Sequence, residues 1–197
     1  IDIRDQTVAS LAKRYNTDTQ QAARVGRTAL NLLADLDGYW QLNAGARTRL
    51  LGWAADLHEL GKDISHSGFH KHGSYLLSNL DMPGFSQLEQ QHLATLVALH
   101  RRKLNLSMIS ERHPWLLPLA LVLRLASLLH RGRSAQNHPP VQLIVASDAE
   151  LIRLELHLDR YWLQHHPLTW LDLKNEVANL ADSDIQLSIV QLDQTST

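Results

Sequence analysis

The sequence predicts a mostly α-helical bundle over residues 1–135, followed by a small α+β module with a three-stranded sheet over residues 141–192. Three observations predict it. Up to about residue 133, apolar residues recur at helical spacing behind capping signals. Beyond about residue 140, branched apolar runs appear, the last of them alternating with polar residues at the period of a strand. With 44% hydrophobic residues and only 9 glycines and 6 prolines among 197, the chain has material for a real core, which excludes disordered and collagen-like classes.

Taken in order, Thr17-x-x-Gln20 has the form of a capping box, and Ala22, Val25, Ala29, Leu32, Leu33 and Leu36 then line one helix face. Leu50, Trp53, Ala54 and Leu57 do the same for the next helix, with Gly61 placed to end it in a left-handed turn. Ser86-x-x-Glu89 repeats the capping box ahead of Leu93, Leu96 and Val97. Residues 114–129 are apolar nearly all round and so predict a central buried helix. The pattern changes near residues 136–140. Residues 141–145 and 151–156 read as strands joined in a hairpin by an Ala-Ser-Asp-Ala link, helices follow around 159–165 and 167–181, and residues 185–190 read as a half-buried strand. The tail from residue 193 is expected to fray.

Several classes are excluded by what the chain lacks. Without cysteine there is no disulfide scaffold, thiolate zinc site or cysteine nucleophile, and a reducing, cytoplasmic setting is expected. No apolar run approaches the roughly 20 residues that span a bilayer. The chain opens at Ile1 with neither Met nor a leader, and so reads as a piece of something longer. Gly61-Lys62 is followed by Asp63 and lacks the earlier glycine of a P-loop, and no G-x-S-x-G elbow is present.

A net charge of −1 hides segregation. Residues 97–133 hold 7 basic side chains against Glu111 alone, whereas residues 141–197 hold 3 basic and 9 acidic ones. Half of the 12 histidines lie between His58 and His100. Such asymmetry points to a polyanion-facing patch beside an acidic module.

Chemistry has three candidate locations. His58-Glu59 pairs two ligand-type residues ahead of Gly61. Two donors are too few for a catalytic metal, and adjacent helical residues diverge by about 100°. A half-buried His58 beside a solvated Glu59 is therefore the plainer reading. His66-x-x-x-His70-x-His72 is dense enough to bind metal when neutral or phosphate when protonated, although His66-Ser67-Gly68 reads as loop. His100-Arg101-Arg102-Lys103 and Arg131-Gly132-Arg133 each end a helix of the bundle. They serve as dipole caps or as one anion lane, since the guanidinium fork matches phosphate oxygens. Aromatic interleaving is poor, so base stacking is not indicated.

His58-Glu59, the later histidines and Leu123-Arg124-Leu125-Ala126-Ser127 follow the frame of the HD superfamily of helical metal-dependent phosphohydrolases. Across residues 1–190 the chain more closely resembles the C-terminal half of the exopolyphosphatase / guanosine pentaphosphate phosphohydrolase (Ppx/GppA) proteins. The carrying segments are Val8-Ala9-Ser10-Leu11-Ala12, Trp53-Ala54-Ala55-x-Leu57-His58-Glu59-Leu60-Gly61, His66-Ser67-Gly68-Phe69-His70-Lys71-His72, Pro83-Gly84-Phe85-Ser86 and Leu96-Val97-x-x-His100-Arg101.

The resemblance implies an HD-like bundle whose ligand positions have decayed. Gln21 stands for the first histidine, Glu59 for the aspartate of the doublet and Ser127 for the last aspartate, leaving His58 alone unchanged. Amide and hydroxyl groups are weak donors to divalent metals, so no metal is expected here. The resemblance further implies actin-like catalytic domains elsewhere in the parent, a Mg2+ requirement there, a homodimer, and polyphosphate or pppGpp as the bound anion. The expected lane is His66, His70, His72, His100, Arg101, Arg102, Lys103, Arg131 and Arg133. Two rivals remain: a stand-alone HD phosphohydrolase around His58 and Glu59, and an RNA-binding module, which the acidic C-terminal region disfavours.

Overall fold

A computed structural model describes residues 2–40, 42, 44–135, 140–146 and 151–193. Six α-helices form the bundle: α1 (Ile3–Arg14), α2 (Thr19–Trp40), α3 (Ala44–Leu57), α4 (Phe69–Asn79), α5 (Gln87–Leu99) and α6 (Leu116–Leu129). The C-terminal part is β1 (Gln142–Val145), β2 (Ile152–Asp159), α7 (Arg160–Gln164), α8 (Pro167–Ala181) and β3 (Ile185–Leu192). The expected mostly helical bundle with a three-stranded α+β end is what the chain forms. The changeover at residues 136–139, most of the hairpin link and the tail from residue 194 lie outside the described residues.

Local signals place most helix starts. Ser86 caps α5 as expected, accepting from Glu89 N at 3.2 Å while the Glu89 carboxylate accepts from Ser86 N at 2.9 Å. At α2 the expected box is replaced by a neighbour. Asp18 accepts from Gln21 N at 2.9 Å, and the Thr17 hydroxyl instead donates back to the Ala12 carbonyl. A carboxylate is as good an N-cap acceptor as a hydroxyl and also meets the positive end of the helix dipole.

Gly61 is needed for a reason other than the expected left-handed turn. It sits in a 3-10 turn over Leu60–Asp63, and its φ is not positive. A Cβ there would lie 2.6 Å from the Gly73 backbone nitrogen, so the glycine lets this turn rest directly on α4. Backbone cannot move aside as a side-chain tip can. Gly61→Ala should therefore destabilise the fold by about 1–3 kcal/mol, read as a lower midpoint in thermal unfolding.

The core is one continuous apolar cluster. The α2 stripe from Val25 to Leu36 is buried, as are Leu57, Leu93, Leu96 and Val97, and α6 is buried along most of its length. α2 packs against α3, α6 and β1, while α8 packs against β3 and α6. β1 pairs with β2 antiparallel, as a hairpin requires, and β2 pairs with β3 in parallel with Leu154 opposite Leu187. α7 and α8 supply the crossover that a parallel pair needs. Their placement brings one face of α8 to the end of the bundle.

Candidate functional site

The ends of α2, α3, α5 and α6 meet the side of α8 around a cleft of about 490 Å³. Every position matching an HD ligand lines it: Gln21, His58, Glu59 and Ser127. So do five of the nine lane residues, His100, Arg101, Arg102, Arg131 and Arg133. His66, His70, His72 and Lys103 are not in the lining; His66 lies exposed in the turn before α4, and Lys103 is exposed beyond the cleft rim.

Three of the four positions matching an HD ligand are occupied by other duties. Gln21 donates through Nε2 to the His130 carbonyl at 2.7 Å and accepts from Arg24 Nη2 at 2.8 Å. His58 donates through Nδ1 to the Ala55 carbonyl at 2.6 Å. Glu59 is buried, not solvated as the plainer sequence reading had it. Its carboxylate is gripped by both terminal nitrogens of Arg133, at 3.0 and 2.9 Å, and is also paired with Lys62. Arg133 in turn reaches Asp18 at 3.0 Å. Among the described residues no three His, Cys, Asp or Glu side chains are placed to hold a metal ion. This donor set does not fit a hydrolytic metal: the amide is hydrogen-bonded at both ends and the carboxylate is already neutralised by two cations.

Three histidines meet edge-on at the cleft, with His100 in the lining centred 5.2 Å from His58 and 6.4 Å from His70, which lies outside the lining. Burial, then the nearby Lys62 and Arg133 charges, hold His58 down to about 4. Burial and the Arg101 charge do the same to His70, also to about 4. His100 is held well below the ordinary imidazole range by burial and by His58. All three are neutral at physiological pH, so His70 and His100 give the lane no charge.

The basic side chains divide into paired and unpaired. Arg131 meets Asp172 of α8 at 2.8 Å, and Arg133 is held by Glu59 and Asp18. Arg101 and Arg102 have no carboxylate partner among the described residues; Arg101 lies over the Phe69 ring at 4.2 Å. Both sit in the turn after α5, where Arg102 adopts a φ of 65°. That left-handed backbone is unfavourable for a long side chain by about 1–2 kcal/mol.

Arg124 holds the turn in place. It is 1% exposed, and its Nη1 donates to the Leu99 carbonyl and Nη2 to the Arg102 carbonyl, each at 2.5 Å. Glu176 of α8 neutralises it through bonds of 3.0 and 2.6 Å. Sequence reasoning missed both the Glu176 partner and the polar stripe Asp172, Asn175, Glu176, Asn179, which lines the cleft from α8. Their i, i+3, i+4, i+7 spacing on an otherwise amphipathic helix was the available signal.

This helical bundle with its cationic cleft belongs to a family of phosphatases, as its likeness to known proteins shows. Residues 3–177 match the model for "Ppx/GppA phosphatase, domain III". The chain belongs to the Ppx/GppA phosphatase family. It is 32% identical over 178 residues to the guanosine-5'-triphosphate,3'-diphosphate pyrophosphatase of Pseudoalteromonas translucida, covering 89% of this chain and 35% of that protein. Against the protein of the same name from Photobacterium profundum it is 33% identical over 185 residues, 92% of this chain and 36% of the relative. The chain thus spans about a third of the length of the curated relatives it matches.

Proposed function

We propose that this chain is the accessory region of a Ppx/GppA phosphohydrolase, and that its cleft grips the phosphate chain of the substrate while hydrolysis takes place elsewhere in the parent. One observation carries this reading: Arg101 and Arg102 face the cleft without a carboxylate partner, while Gln21, His58 and Glu59 beside them are tied into hydrogen bonds and ion pairs. Guanidinium groups donate to phosphate oxygens in a fork, and several such contacts sum along a chain bearing about one charge per phosphate. The relatives' name favours pppGpp as the anion, with polyphosphate the simpler ligand of the same chemistry. A homodimeric, Mg2+-dependent, cytoplasmic parent belongs to this reading on the family resemblance alone.

The test is titration with long-chain polyphosphate at low and high salt. Affinity should fall steeply as salt rises, because exposed charges are screened. Replacing Arg101 and Arg102 by Ala should weaken binding at least ~10-fold, since a hydrogen bond to a charged group contributes about 1.5–3 kcal/mol. Lys103→Ala, outside the cleft lining, should change it far less. Unchanged affinity in the double variant would remove both arginines from the grip.

A further inference from the structure

The cleft has a second wall whose chemistry a bare phosphate chain does not use. Asp172, Asn175, Glu176 and Asn179 project from one face of α8 into the space that Arg101 and Arg102 border. Both oxygens of Glu176 are engaged by Arg124, and Asp172 by Arg131. Asn175 and Asn179 make no side-chain hydrogen bond among the described residues. Their carboxamides each offer an acceptor as well as two donors, one turn apart on the helix.

Linear polyphosphate presents acceptors only. Beside the amides it would meet the Asp172 carboxylate, which is paired with Arg131 and, like the phosphates, can only accept. A ligand that carries hydroxyl and ring N–H or amino donors next to its phosphates satisfies both walls at once. Stacking is not the mode of recognition, because Phe69, the aromatic ring of the lining, already has Arg101 at 4.2 Å and Lys62 at 4.9 Å from its centroid.

We propose that Asn175 and Asn179 are specificity-determining residues that read the nucleoside end of a nucleoside polyphosphate by its hydrogen-bonding edges, while Arg101 and Arg102 hold its phosphates. This rests on the anion-grip reading of the same cleft and extends it to ligand choice. Asn175 is exposed and Asn179 half-buried, so water fills their bonds in the free cleft and each contact with a nucleoside edge adds only the net worth of one hydrogen bond, from a few-fold to about tenfold in affinity.

Binding of GTP and of inorganic tripolyphosphate to the 197-residue chain, compared at one salt concentration, tests it at equal phosphate number. GTP should bind ~10-fold tighter than tripolyphosphate. In the Asn175→Ala/Asn179→Ala variant that preference should vanish while tripolyphosphate binding stays within about twofold of the parent chain. Arg101→Ala/Arg102→Ala should weaken both ligands together. Equal binding of the two ligands, or equal losses of both in the Asn variant, overturns the proposal and leaves the anion grip standing. Failure of the parent chain to bind either ligand overturns both.

Discussion

Replacing Glu176 by Ala is expected to lower the free energy of unfolding by about 3–5 kcal/mol, because it leaves a guanidinium buried without its counter-charge. Arg124 lies in the middle of the most apolar helix of the chain and is 1% exposed, with Glu176 3% exposed. Urea unfolding reads the loss, and a change below about 1 kcal/mol, the range of exposed pairs, would refute it. A paired replacement, Arg124→Met/Glu176→Leu, separates stability from positioning. Removing both charges at similar volume is often nearly neutral for folding. The carbonyls of Leu99 and Arg102 would still lose their donors, so polyphosphate affinity should fall even where the melting temperature does not. Full affinity in that variant would show that the turn keeps its form unaided.

Acid should unfold this protein earlier than its carboxylates alone would require. Above pH 6.5 the buried histidines are neutral in both folded and unfolded chains and contribute no pH dependence. As the pH falls below 6.5 the unfolded chain takes up protons that His58 and His70 refuse until about 4. Stability therefore declines through that window, by about 3 kcal/mol for each of these two groups, with His100 acting in the same direction. Unfolding free energy measured from pH 7.5 to 4 should show the decline, and a His58→Gln/His70→Gln variant should show a shallower one. Identical slopes for the two proteins would place the protons elsewhere.

The helical frame was legible because burial follows spacing: the α2 stripe and the buried character of α6 follow directly from where the leucines and alanines fall. The error at Thr17 arose because two adjacent residues, Thr17 and Asp18, both have capping side chains and only packing chooses between them. Gly61 was recognised as necessary, but a turn and a close helix contact ask for the same residue, and the partner backbone at Gly73 is distant from the motif. The parallel pairing of β2 with β3 depends on the crossover, which strand periodicity does not encode.

At the site, the four positions that the resemblance singles out, Gln21, His58, Glu59 and Ser127, do line one cleft. Their pairing was not readable. Nothing local to Arg124 announces a carboxylate 52 residues away, and nothing in His100-Arg101-Arg102-Lys103 says which side chains stay unpaired. Histidine charge, open between neutral and protonated in the sequence, was not readable for the same reason. Composition counts imidazoles, whereas desolvation in the packed bundle sets their protonation.

The clasp of Arg124 on the carbonyls of Leu99 and Arg102 fixes the backbone from which Arg101 and Arg102 project, so that in the proposed grip the turn is set before any anion arrives. A preorganised grip surrenders little conformational entropy on association. Its advantage should show in long residence of the bound phosphate chain more than in rapid capture, since capture is governed by the long-range field and release by the contacts themselves.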